Sequence, residues 1–217
     1  PINVQPAPVR DDTPEDREIR AVVWKLPNGR AGGASKMGAE DLKHWLQGMQ
    51  QEEENGTAGT GDSWRLLMHI IQSIWETRTI PTQITWVPLV LIPKGNGDFR
   101  GIGLLEPVWK CIEKIIDARL QVIPLHDCLH GFLPGRGTGT ATMEAKLTQQ
   151  LAYLEQTPLY TIFLDLKKAY DSVDRGRCLD ILTGYGAGPN LTNVLRNFWA
   201  ATKLICKAGG YYGHRTV

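Results

Sequence analysis

The chain has 217 residues, of which 42% are hydrophobic and 22% charged, the proportions of a folded globular protein and not of a disordered one. No apolar run approaches the roughly 18 residues that a bilayer-spanning helix needs. The polar, acidic first 18 residues read as carrying no secretory leader, and a start at Pro1 reads as processing or a fragment. The formal net charge is only +1, but it is unevenly spread: residues 1–62 carry 7 basic and 11 acidic side chains, and 63–217 carry 17 and 12. The mildly basic second part suits a polyanionic partner, and it equally suits ordinary surface variation. Cys111, Cys128, Cys178 and Cys206 form no Cys-x-x-Cys pair, which excludes a zinc ribbon and gives no support to a disulfide scaffold.

Residues 1–20 read as a loose lead-in, with prolines at 1, 6 and 8 and then mixed charge. A Gly-rich loop, RAGGASKMG, precedes a short helix over 39–50, where Leu42, Trp45, Leu46 and Met49 recur at spacings of three and four. QEEENGTAGTGD, 51–62, has no large apolar residue and reads as a linker. Residues 63–78 predict a strongly amphipathic helix along Trp64, Leu67, Met68, Ile71, Ile74 and Trp75, capped by Asp62 or Ser63 and ended before Pro81. WVPLVLI, 86–92, predicts a buried strand. KGNGD supplies turn residues, and 99–105 returns as the second strand of a hairpin. A helix over 108–123 presents Cys111, Ile112, Ile115, Ile116 and Leu120, and another over 140–155 presents Leu147, Leu151 and Leu154, with Thr138 or Thr140 as its cap. LYTIFLDL, 159–166, reads as the best strand of the chain; short helices over 177–183 and 189–201 and a last strand or half-hairpin over 203–212 complete the pattern.

Three segments carry chemistry. In FLDLKKAYDSVDR, Asp165 ends an apolar strand, where a carboxylate is costly unless it is paired or holds a cation such as Mg²⁺. Tyr170 offers a rigid ring close by, followed by Asp171 and Asp174. Spacing alone favours a plainer reading, with Asp165 capping a helix and Tyr170 in a core. In LIPKGNGDFRGIGLL, Lys94 and Arg100 flank a Gly-rich turn and could reach triphosphate oxygens, or simply solubilise a loop. In HGFLPGRGTGTA, four glycines surround Arg136 ahead of a helix N-terminus, a setting suited to an anion, but the Gly-Lys-Ser/Thr ending of a P-loop is missing. His126, Cys128 and His130 are too few for a zinc site.

In this order the three segments, with RAGGASKMGAEDLKHWL before them, resemble the reverse transcriptase domain of non-LTR (LINE-like) retrotransposons, over residues 25–215. The resemblance implies an α+β fold, the fingers and partial palm of a right-hand polymerase, with an incomplete antiparallel palm sheet and packed helices. It implies a lead-in at 1–24, an extension segment and linker at 25–62, fingers at 63–155, and at 156–217 a partial palm with its first motif only. It makes Asp165 the first catalytic metal-binding aspartate, helped by the backbone carbonyl of Leu166. Tyr170 becomes the residue that rejects a ribose 2′-OH. Lys94 and Arg100 become triphosphate ligands, and Arg136 lies near the nucleotide and template. The implied cofactor is Mg²⁺ in two-metal nucleotidyl transfer. The implied partners are an RNA template, a DNA primer and deoxynucleoside triphosphates, with no membrane, in cytoplasm and nucleus.

The sequence departs from that family in one respect. No Gln-Gly segment and no Tyr/Phe-x-Asp-Asp hairpin follow the first palm motif, and the only Asp-Asp pair is Asp11-Asp12. The expectation is a fragment that needs the C-terminal palm and thumb of the same polyprotein, inactive alone, with unpaired strand edges at 159–166 and 203–212. The alternative is a non-catalytic RNA-binding remnant.

Overall fold

The computed structural model describes residues 6–56, 58–95, 97–166, 169–170, 172–208 and 211–216. In chain order the elements are α1 (Asp16–Lys25), α2 (Ala39–Asn55), α3 (Asp62–Thr77), α4 (Thr82–Thr85), β1 (Trp86–Pro93), β2 (Phe99–Gly103), α5 (Pro107–Leu120), α6 (Thr138–Leu154), α7 (Arg175–Gly184), α8 (Pro189–Ala201), β3 (Lys203–Ala208) and β4 (Tyr211–Thr216). They divide into two compact units: Pro1–Val122 together with Arg175–Val217, and Ile123–Asp174. Mixed helix and sheet content agrees with the α+β class. No helix among the described residues is long and apolar enough to cross a membrane.

The larger unit is built on amphipathic helices. The α3 stripe buries Trp64, Leu67, Ile71, Ile74 and Trp75. The α5 face buries Trp109, Ile112, Ile115 and Ile116, and Pro107 starts that helix where a missing N–H costs nothing. From α8 come Leu191, Val194 and Phe198. Trp109 and Phe198 stack with ring centroids 3.5 Å apart and planes 8° from parallel.

Most of the second half of the expected lead-in 1–24 is instead helical: residues 16–25 form α1, which ends one residue beyond it and buries Ile19, Val22 and Val23 in the same core. Ahead of α1, the carboxylate of Asp11 accepts the backbone N–H groups of Asn190 at 3.0 Å and Leu191 at 2.7 Å. That satisfies orphan donors at the start of α8 from a remote part of the chain. The expected linker 51–62 also shrinks. Glutamates are good helix formers, so α2 runs on to Asn55 and Gly56 ends it at φ 69°. Glu53 pairs with Arg20, and Glu52 accepts the N–H of Gly61 at 2.7 Å. Gly61, and neither Asp62 nor Ser63, stands at the cap of α3.

The sheet corrects the expected palm. Four strands run in the order β2-β1-β3-β4. The hairpin β1–β2 is antiparallel, with Leu89 opposite Gly103 and Ile92 opposite Arg100. β3 pairs parallel to β1, Trp86 opposite Lys203, and antiparallel to β4. The sheet is therefore mixed: residues 203–206 have partners on both sides, 207 and 208 pair with β4 alone, and β4, which holds residues 211 and 212, is the edge strand. Residues 159–166 form no strand, and their side chains are exposed. An apolar, β-branched run encodes suitability for a sheet, but the ladder must come from a second strand. Among the described residues β1 pairs with β2 and β3, β3 pairs also with β4, and none pairs with this segment.

The smaller unit holds α6 and the flanking segments. None of the α6 side chains is buried, so the stripe of Leu147, Leu151 and Leu154 lies open. Thr140 fixes the start of the helix, its hydroxyl oxygen accepting the N–H of Gly137 at 2.9 Å.

Candidate functional site

Two of the predicted residues sit in the larger unit, on the β1–β2 hairpin. The strands bring the chain to a tight reversal. The Lys94 N–H donates to the Asp98 carbonyl at 2.8 Å. Gly95 and Gly97 take φ 46° and 86°, values an L side chain resists. Lys94 and Arg100 flank this turn with exposed side chains. The hairpin thus presents two exposed cations; Asn96 is outside the described residues.

Four predicted residues sit in the smaller unit. Asp165 and Leu166 end the segment 159–166, which takes no regular structure, and Tyr170 follows. All three are exposed, so burial cannot be what a cation would relieve at Asp165. Lys167, Lys168 and Asp171 lie outside the described residues. The Asp165 carboxylate and the Leu166 carbonyl are hard oxygen donors of the type Mg²⁺ takes. Among the described residues, however, no three His, Cys, Asp or Glu side chains group closely enough to hold a metal ion. The donor chemistry fits Mg²⁺, while the donor number does not close a site without oxygens from substrate.

Arg136 is engaged inside its own loop. It donates to the carbonyls of Asp127 and Leu129 and to the Asp127 carboxylate at 3.0 Å. His130 ties the same loop to α6, with Nδ1 2.8 Å from the Thr140 hydroxyl and Nε2 2.6 Å from the Glu144 carboxylate. The His130 contact holds the Glu144 carboxyl below the usual carboxylate range. Between these two anchors stands Phe132, at φ 61°. Its ring meets Tyr170 edge-on, with centroids 6.3 Å apart and planes at 79°. Sequence reasoning passed over Phe132. The available signal was a large aromatic in a Gly-rich loop with no apolar periodicity to place it in a core.

The larger unit also has a cavity of about 450 Å³, walled by Met37, Ile102 and Leu104 with Arg30 and Lys110 beside them. None of the predicted site residues lines it. Nearby, Glu106 fixes the Gly-rich loop by accepting the Ser35 N–H at 2.8 Å and hydroxyl at 2.6 Å.

The sequence model of one protein family, described as Reverse transcriptase (RNA-dependent DNA polymerase), matches residues 92–213. Lys94, Arg100, Arg136, Asp165, Leu166 and Tyr170 all fall within that span. No curated protein matches the chain.

Proposed function

The chain belongs to the reverse transcriptase (RNA-dependent DNA polymerase) family, and on that premise we propose that it is the fingers and first palm segment of a non-LTR retrotransposon polymerase. The observation that supports the polymerase reading is the family match over residues 92–213, which takes in Lys94, the Gly-rich loop and the FLDL segment, while the non-LTR subtype rests on the sequence resemblance alone. Family membership implies a nucleic-acid template and primer and incoming deoxynucleoside triphosphates; work in cytoplasm and nucleus is part of the same proposal.

Each residue then has a task set by its chemistry. Lys94, a point charge, and Arg100, a planar fork, bind triphosphate oxygens and orient the α-phosphorus toward the primer. Tyr170 packs under the deoxyribose and leaves no room for a 2′-OH. Arg136 shapes the loop that lies near nucleotide and template. Asp165 and the Leu166 carbonyl are the protein's ligands for Mg²⁺, which when bound stabilises charge on the reacting phosphates and lowers the pKa of the primer hydroxyl. The sequence supplies no Tyr/Phe-x-Asp-Asp pair to join Asp165. The 217-residue chain alone is therefore proposed to be inactive.

Primer extension on an RNA template tests the reading. The chain alone is expected to add no nucleotide. Joined to a family palm segment that bears a Tyr/Phe-x-Asp-Asp hairpin, it is expected to synthesise DNA in Mg²⁺, and Asp165→Ala should abolish that synthesis. Synthesis that survives Asp165→Ala removes the catalytic assignment. RNA binding without synthesis in the joined protein supports the non-catalytic binding module instead.

A further inference from the structure

We propose that Phe132 is a positioning residue for Tyr170: it fixes the plane of the tyrosine ring and so sets how strongly the site prefers a deoxyribose over a ribose. The inference rests on the reading above that Tyr170 meets the sugar. To reject a single oxygen atom, a ring must be held in one orientation. Tyr170 is 80% exposed, so no surrounding core holds it. The one ring contact it makes among the described residues is the edge-on approach of Phe132 at 6.3 Å. That separation and near-perpendicular geometry lie in the range where aromatic pairs attract.

Two observations separate this contact from chance. Phe132 is 92% exposed, so filling a core does not account for a phenylalanine at this position. It also sits at φ 61°, a left-handed backbone that a bulky aromatic side chain disfavours. The neighbouring Gly131 would adopt such a conformation at little cost. Backbone strain kept at a large exposed ring points to a task for that ring.

The loop backbone is tied down on both sides of Phe132 in sequence. On one side His130 is bonded to Thr140 and Glu144 of α6; on the other Arg136 is bonded to Asp127 and Leu129. In sequence Phe132 lies between these two polar anchors. Arg136 therefore acts on the nucleotide through the loop: it holds Phe132, and Phe132 holds Tyr170.

The test measures binding of dATP and of ATP, each with Mg²⁺, to the 217-residue chain by calorimetry. The readout is the ratio of the two affinities, which a general loss of folding does not change selectively. The wild-type chain is expected to prefer dATP. Phe132→Ala should cut that preference about two- to tenfold, the range an aromatic pair contributes, toward the value of Tyr170→Ala. Phe132→Tyr keeps a ring and should restore the preference. If Tyr170→Ala loses the preference and Phe132→Ala retains it, the inference is overturned and the functional reading stands. Equal failure of Phe132→Tyr and Phe132→Ala also overturns it. If wild type and Tyr170→Ala give the same ratio, Tyr170 does not face the sugar, and the reading and the inference fall together.

Discussion

Arg119 carries a charge that water barely reaches, with 3% of its side chain exposed. Two of its nitrogens donate to the Glu18 carboxylate at 2.7 and 2.8 Å, and a third to the Asp12 carbonyl at 2.7 Å. The guanidinium also lies over the Trp75 ring, 4.8 Å from its centroid. Removing one partner of such a pair leaves the other buried and uncompensated. Arg119→Ala should therefore cost about 3 kcal/mol, the lower end of the range for broken buried pairs, since Glu18 keeps 15% of its side chain in solvent. Urea unfolding measures this, and Arg119→Lys, which keeps the charge but loses the fork, should recover only part. Glu113 carries the opposite lesson. Burial pushes its carboxyl up, and the Trp109 indole N–H, donating at 2.8 Å, offsets only part of that. The native state thus holds this proton more tightly than the unfolded chain does. Stability falls as pH rises from the ordinary value of 4.5 through the raised one, and the penalty persists above it. Glu113→Gln keeps an acceptor for Trp109 without the charge. It should raise the urea midpoint at neutral pH and give no gain below about pH 4, where the wild-type carboxyl is protonated in both states. A gain that is the same at both pH values would show that the charge is not the cause. Glu144, whose carboxyl is held low by His130, has the reverse dependence and weakens its loop anchor as pH falls through the carboxylate range.

A helix announces itself within its own segment, because its apolar period belongs to one stretch of chain. The predicted range 189–201 is α8 residue for residue, and the stripes of α3 and α5 are the buried ones. The first helix followed the same rule with Ile19, Val22, Val23 and Leu26, but prolines and acids ahead of it dominated the composition. A strand is legible only when its partner is adjacent. The hairpin could be read because KGNGD joins its halves. Residues 159–166 read as the best strand of the chain and form none, because an apolar β-branched run says nothing of what it would pair with. Nor could spacing show that β3 lies parallel to β1, more than a hundred residues away in sequence. The site divides in the same way. The hairpin cations follow from the turn, whereas the Phe132–Tyr170 contact joins two segments that no local pattern links. The exposure of the hairpin leads to a prediction at this scale. Lys94→Ala and Arg100→Ala remove no buried contact, so each should change stability by less than about 0.5 kcal/mol. Each should nonetheless weaken dATP binding, and the double variant should weaken it further. Thermal unfolding and calorimetry on the same samples separate the two effects; unchanged affinity in the double variant removes the hairpin from the site.

Each unit is stabilised internally by different physics. Every buried hydrophobic side chain among the described residues belongs to the larger unit, and none lies between residues 123 and 174. The smaller unit instead keeps Phe132, Tyr153, Leu154, Tyr160, Ile162, Phe163 and Leu164 in solvent. Its order comes from the backbone bonds of α6 and from the polar anchors at His130, Arg136 and Thr140. Hydrophobic burial is the main favourable term in folding, and exposed hydrogen bonds add little net stability. Local opening of this unit should therefore cost far less than opening of the larger one. Amide hydrogen exchange resolves the difference directly. The amides of α6 should exchange at least roughly a hundredfold faster than those of α3, whose Trp64, Ile71 and Trp75 are fully buried. The apolar surface supplies a second arm. A partner that covers 159–166 would bind the ordered form and slow exchange in α6, by mass action. Equal protection of α6 and α3 in the isolated chain would show that the smaller unit does not need an apolar core of its own to stay closed.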